Sequence, residues 1–389
     1  MARSFKVDVK PAVLAWARKS ANLRVDEVAA KLQLEEGRVR EWEAGESQPT
    51  LAQLRKLGKV VRRPLAVLLI AEPPEDGQAL KDFRSASSLG ETSTALRFAL
   101  RDAEERREIA LELVGSLPDA VGAFDVSAQL DEHPEDVARR IRAALNVHLD
   151  EQLAARDAYA GLALWRRAVE GCGVLVFSFS GVDFHEARGF SLSAQPLPVV
   201  ATNSKDAPSG RTFTLLHELA HIAVRSGEVL CDLSAHDTAA ASTETWCNHV
   251  AGAVLVPRDA LLAEPLVRVA DDETEWTTSD ISALARRYSV SREVIVRRLL
   301  ILGKTSPDHY AEWRGRFNDE YAEYARKLDA SSGGPTYMTK VVSQLGRLYP
   351  RLVLTAHDRE AITTSAASGY LGVKVNHFDS LQAELRKAS

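Results

Sequence analysis

Apolar residues in the first seventy positions recur at helical spacing. Val13, Leu14 and Ala17 share one face of a predicted helix over 11–19, and a second helix is predicted over 25–32, where Asp26 and Glu27 suit the positive end of its dipole. A Gln33-Leu34 turn leads to a third helix over 35–43, stopped by Gly45. Pro49-Thr50 then opens a fourth over 51–60. Residues 72–77 read EPPEDG, a wet linker that no helix crosses. Helical patterns return over 93–117, 134–145 and 152–169. At Gly173 the period changes. GVLVFSF (173–179), 188–193 and 198–203 are β-branched or alternating and predict strands. A polar loop, 204–210, feeds a helix over 211–226, and a further helix over 243–256 ends at Pro257. Two helices framing Tyr288-Ser289-Val290-Ser291 follow within 278–303, with Ser291 as the N-cap of the second. Downstream, the pattern predicts a helix over 310–328 and a linker at 331–335. It then predicts 337–349, a strand or turn near Val353-Leu354, 361–371, a turn at 369–374 and an amphipathic end at 378–385.

This order predicts an α+β multidomain chain. The expected organisation is a helix-turn-helix bundle (1–71), a linker (72–85), a helical region packing on the catalytic body (86–170), an α+β core (171–265), a helix-turn-helix-like segment (276–304) and a helical C-terminal region (305–389). Charge sharpens the first boundary. Residues 1–70 hold 14 Lys and Arg against 8 Asp and Glu, a net +6, so the remainder carries −11 of the overall −5. A basic head on an acidic body predicts a nucleic-acid module fused to something else. Cys172, Cys231 and Cys247 form no CxxC pair and cannot all pair, which fits a reducing cytosol. The apolar run Leu65–Ala71 is too short to span a bilayer, so a cytoplasmic protein without membrane partners is expected.

The chemistry concentrates in TFTLLHELAHIAVR, residues 212–225. His217-Glu218-Leu219-Ala220-His221 is an HExxH motif. Four positions on a helix are about one turn, so both imidazoles leave one face and could hold one Zn²⁺. Glu218, beside the first histidine, could take a proton from a water on the metal. A third ligand is needed. Glu244 is the first acid of the following helix, 23 residues beyond His221, and Asn248 lies one turn on, where it could orient a ligand. Asp232, His236 and Cys231 are rival ligands, and Cys247 and His249 point away from Glu244 on a helix. His236 or a tyrosine would serve a developing oxyanion.

Strands followed directly by a zinc helix, with a Glu from the next helix, resemble zincin peptidases of the gluzincin kind. Trp42-Glu43-Ala44-Gly45 followed by Pro49-Thr50 resembles the end of the recognition helix in Xre/Cro/C1-type repressors, over roughly residues 8–70. That would place Arg38 and Arg40 near the groove of DNA. Glu35 and Glu36 at the start of that helix would repel phosphate, which keeps a protein-docking role open. PLPVVATNS, RTFTLLHELAHI and ETWCNHVAGAVLVP together resemble the ImmA/IrrE family of metallo-endopeptidases over about 169–262, and with the repressor-like head its fused subclass. Trp246 and Cys247 depart from the acid and alanine frequent there, leaving the proposed ligand positions intact. The resemblance implies a zinc peptidase that inactivates a regulatory protein, commonly a helix-turn-helix repressor. The competing expectation is a DNA-binding regulator or antitoxin-like protein whose zinc domain senses with little or no turnover. The basic 278–303 segment is expected to support the zinc domain or engage substrate.

Overall fold

The computed structural model describes residues 6–74, 92–117, 121–224, 228–230, 238–328 and 336–387. They form an α+β protein in two compact units, Met1–Asp102 and Ala103–Ser389. Among the described residues no helix is long and apolar enough to cross a membrane.

The first unit is built on α1 (Pro11–Ser20), α2 (Val25–Leu32), α3 (Glu36–Ala44) and α4 (Leu51–Val60). Local chemistry sets their ends. Gln33 turns left-handed (φ 58) after α2, and Gly45 (φ 79) ends α3, a conformation in which a Cβ is strained. Thr50 and Gln53 exchange side-chain and backbone hydrogen bonds of 3.2 and 2.8 Å at the start of α4, a reciprocal cap. Val39 and Trp42 bury the inner face of α3 beside Leu14, Ala17, Val28 and Leu54. Arg18 on α1 grips Glu43 on α3 with two bonds of 2.6 and 2.8 Å. The next helix, α5 (Thr94–Gly115), starts in this unit. Its buried Arg101 donates to Ser20 O (2.9 Å) and Val61 O (3.1 Å), satisfying carbonyls that α1 and α4 leave orphaned at their C-terminal ends.

The second unit continues with α6 (Pro134–Ala144), α7 (Leu149–Leu153) and α8 (Ala158–Gly171). The spacing had predicted one helix over 152–169. Asp157 divides it, because its carboxylate accepts from the amides of Tyr159 and Ala160 (both 2.9 Å) and so begins a new helix. Gln152, fully buried, donates to Leu255 O and Tyr288 O and so ties three segments together.

Strands β1 (Leu175–Phe179), β2 (Gly189–Leu192) and β3 (Val199–Asn203) follow, all buried. The first begins two residues later than the apolar run suggested. Gly173 is left-handed (φ 78) and lies so close to Gly122 that an added Cβ would stand 1.9 Å from its carbonyl oxygen. After α9 (Pro208–Ala223) comes β4 (Glu228–Leu230), a strand too short for its pattern to announce. The sheet order is β1-β3-β2-β4, with β1 parallel to β3 and the other pairs antiparallel.

The long α10 (Thr238–Leu255) packs against α6 and α9. Short helices α11 (Arg258–Ala263) and α12 (Pro265–Arg268) lead to α13 (Thr278–Tyr288) and α14 (Arg292–Ile301), joined by a left-handed Ser289 (φ 54) and capped by Ser291. Then come α15 (Pro307–Leu328), α16 (Tyr337–Leu345), α17 (Leu348–Asp358), α18 (Thr364–Leu371) and α19 (Phe378–Arg386). The strand or turn expected near Val353-Leu354 is the middle of α17. That helix buries Leu352, Val353, Leu354 and Ala356, and an apolar run of this length has no strand-specific period. Helix α16 packs on the β1 edge of the sheet, the edge that β4 does not occupy.

One ionic network fixes α10. Arg298 on α14, fully buried, holds Glu135 on α6 with bonds of 2.6 and 3.1 Å and donates to Val256 O (3.0 Å). His249 on α10 reaches the same carboxylate at 3.2 Å. Burial would raise the Glu135 carboxyl, but His249 and Arg298 outweigh it and hold it at about 2. A depressed carboxylate stabilises the fold above its ordinary value of 4.5 and loses that contribution as pH falls through the lowered one. Arg298→Met should therefore cost about 3 kcal/mol at neutral pH. In urea unfolding at a series of pH values, its deficit against wild type should shrink between about 4.5 and 2. A deficit that grew in acid would contradict the pairing.

Candidate metal centre

Helix α9 carries His217, Glu218 and His221, and α10 carries Glu244. Pro208 starts α9 at the position where a missing N–H costs nothing. From Thr214 to Ala223 every residue of the helix is buried, so the HExxH segment is a core element rather than a surface one. His217 and His221 project from one face, with ring centroids 4.8 Å apart.

Three donor atoms converge. His217 Nε2 lies 3.1 Å from His221 Nε2, and each is 3.2 Å from a different oxygen of the Glu244 carboxylate. A tetrahedral cation with bonds near 2.0–2.1 Å requires ligand atoms about 3.3 Å apart. The three side chains therefore already stand at the spacing such an ion needs. The histidines are almost fully buried, and the Glu244 side chain is 20% exposed.

Charge is arranged accordingly. Burial works against the Glu244 carboxylate, but the two histidines overcome it and hold its pKa at about 2. Burial likewise works against a charged His221, and Glu244 and Glu218 override it, raising that histidine. Glu218 is fully buried, and neither carboxylate oxygen has a hydrogen-bond partner among the described residues. An unpaired buried carboxylate is costly, so this group is held for something other than internal hydrogen bonding. The Nδ1 of His217 also lacks a partner among the described residues, unlike most metal-bound histidines.

The rival ligands sort by position. Cys231, Asp232 and His236 lie outside the described residues. Cys247 is buried in the core, and burial, with Glu244 and Glu218 adding, pushes its thiol far up, which disfavours the thiolate a metal would need. His249 is engaged with Glu135. Asn248 is half-buried and makes no hydrogen bond to the three donors among the described residues. In the first unit, Arg38 and Arg40 are exposed on α3, but each pairs within its own helix, Arg38 with Glu41 (2.8 Å) and Arg40 with Glu36 (3.3 Å).

One structural requirement escaped the sequence reading. Gly189 opens β2 beneath α9. A Cβ there would stand 2.4 Å from Thr214 Cγ2, 2.9 Å from Ala201 O and 3.3 Å from Glu218 Oε1. Only glycine lets the helix approach the sheet this closely, and the approach places Glu218. A glycine within a predicted strand was the available signal. Gly189→Ala should destabilise the second unit by about 1–3 kcal/mol, as overpacking does. The check is its urea midpoint against wild type; an unchanged midpoint would mean that α9 is free to lift.

Residues 170–300 match the family model of the IrrE N-terminal-like domain, Peptidase M78, and residues 14–68 match a helix-turn-helix model. The first range contains His217, Glu218, His221 and Glu244, and the second contains α2 and α3. The chain thus joins a helix-turn-helix domain to a metallopeptidase-like, IrrE N-terminal-like domain. Comparison with curated proteins gives no match.

Proposed function

We propose that the protein is a cytoplasmic zinc-dependent endopeptidase that regulates transcription by cutting a regulatory protein, a helix-turn-helix repressor in the first instance. The observation carrying the enzymatic part is the convergence of His217, His221 and Glu244 beside the buried Glu218, which has no hydrogen-bond partner among the described residues. Imidazole and carboxylate donors at this spacing suit Zn²⁺. The substrate class rests on the resemblance to the ImmA/IrrE family and on the helix-turn-helix head.

In this reading His217, His221 and Glu244 hold zinc, which when bound supplies a Lewis acid that polarises the scissile carbonyl and acidifies a neighbouring water. Glu218 takes the proton from the attacking water and delivers it to the leaving amine. Its carboxylate makes no hydrogen bond among the described residues, so no internal bond has to break before it accepts that proton. Gly189 and Thr214 position it by fixing the height of α9 above the sheet.

The second reading is a DNA-binding regulator whose metal domain senses with little or no turnover. It is favoured by the helix-turn-helix head and that segment's net charge of +6. Arg38 and Arg40 would be its DNA contacts. Phosphate would then have to draw them from Glu41 and Glu36.

Glu218→Gln separates the two readings. On co-incubation with repressors from neighbouring loci, this variant should keep its metal and lose at least about 10²-fold in cleavage rate. Cleavage at the wild-type rate would remove Glu218 as the base, and intact regulation in cells by the variant would favour the sensor reading. Glu244→Ala should lower bound zinc from one equivalent per chain to near none in elemental analysis of dialysed protein. Full retention would pass the third ligand to another residue.

A further inference from the structure

The charges of the head are segregated along the chain. All 8 acids of residues 1–70 lie at or before Glu46, whereas Arg55, Lys56, Lys59, Arg62 and Arg63 follow it. The folded unit turns this order into two unlike surfaces.

The α2–α3 surface is acidic where an anion would meet it. A helix start is the positive end of its dipole, and carboxylates stand at both starts here, Asp26 and Glu27 on α2 and Glu35 and Glu36 at α3. Along α3 and its end, Arg38 and Arg40 face four glutamates, Glu35, Glu36, Glu41 and Glu46. Both arginines already hold glutamates of their own helix. A phosphate approaching α3 therefore meets a net negative helix.

Helix α4 is the opposite. It contains no acid, and its inner face buries Leu54, Leu57 and Gly58. The outer face is Ala52, Arg55, Lys56 and Lys59, all exposed. At about 100° per residue, the three cations fall within roughly a third of the circumference, with the small Ala52 among them. Arg55 and Lys59 are one turn apart, about 6 Å between Cβ atoms. The reciprocal cap of Thr50 and Gln53 and the burial of Leu54 and Leu57 hold this row in place. Arg62 and Arg63, just beyond the helix, are engaged inside the unit. Arg62 pairs with Asp102 (3.1 Å), and Arg63 stacks on the Trp16 ring (4.7 Å).

Duplex DNA suits such a face. Its phosphates recur every ~3.4 Å along each strand, so a row of long cationic side chains finds partners without a pocket or a shape match. Helix α4 also lies within the range that matches the helix-turn-helix model. We propose that the head holds duplex DNA by its phosphate backbone through Arg55, Lys56 and Lys59, without reading base sequence through α3. The inference rests on the DNA-binding reading of the head and moves the contacts from α3 to α4.

The experiment is fluorescence anisotropy of the full-length, metal-loaded protein with two labelled duplexes of unrelated sequence, over about 50–200 mM salt. Both duplexes should bind within about twofold of each other, and log K against log salt should fall with a slope near −3, as three phosphate contacts require. Arg55→Gln/Lys56→Gln/Lys59→Gln should flatten that slope towards zero and leave the melting temperature unchanged, since all three positions are exposed. Arg38→Gln/Arg40→Gln should bind as wild type does. If the triple variant folds poorly, Lys59→Gln alone should still reduce the slope by about 1. Wild type binding neither duplex would remove the DNA-binding reading itself. Binding that survives the α4 changes but is lost with Arg38 and Arg40 would keep that reading and overturn the proposal. A preference of about tenfold or more between the duplexes would mean that bases are read, and would also overturn it. Equal competition by poly-glutamate would assign the face to an acidic protein instead.

Discussion

The second unit depends on how closely α9 lies over its sheet. Gly189 leaves room for the helix at a height that a single Cβ would forbid, and that height sets Thr214 and Glu218. The result is a carboxylate at zero exposure with no internal hydrogen bond among the described residues. Such a group is expensive to bury, so the surrounding packing has to over-determine it. The apolar core around α9 does this, with Leu215, Leu216, Leu219 and Ile222 all in the same cluster as the sheet's Val176 and Val200. Stability and chemistry are therefore coupled at one contact.

The third donor depends on a different constraint. Glu244 belongs to α10, and nothing covalent fixes the distance between α9 and α10. The Arg298-Glu135-His249 network clamps α10 against α6 and α14, and Gln152 hydrogen-bonds the carbonyl of Leu255 at its end. Buried ion pairs of this kind give little net stability, but losing one partner is costly because it leaves a buried charge uncompensated. With α10 so placed, Glu244 stands 3.2 Å from both histidines. The head uses the same device on a smaller scale, where Arg18 grips Glu43 and Arg101 satisfies the carbonyls that end α1 and the turn after α4.

Much of this was legible from residue order. HExxH, the helices around it, the three main strands and the helix-turn-helix spacing all follow from local periodicity and from caps such as Thr50 and Ser291. Three features were not. Asp157 interrupts an apolar spacing that runs on without a break, because capping is decided by one side chain. The Val353-Leu354 segment is helical because α17 is buried on several sides, where β-branched residues pack as well as they do in a strand. Strand β4 has three residues, fewer than a period-2 pattern needs to declare itself.

The sequence by itself determined which residues could bind a metal and which could act as a base, since residue type and spacing along one helix carry that information. It left Glu244 among several rivals and did not bring it to the histidines. That approach belongs to the tertiary structure. A carboxylate within reach of two histidines on another helix, and a strand glycine beneath a helix, are juxtapositions between distant segments. No local period encodes such a distance. It is set by how buried side chains fill the space between elements.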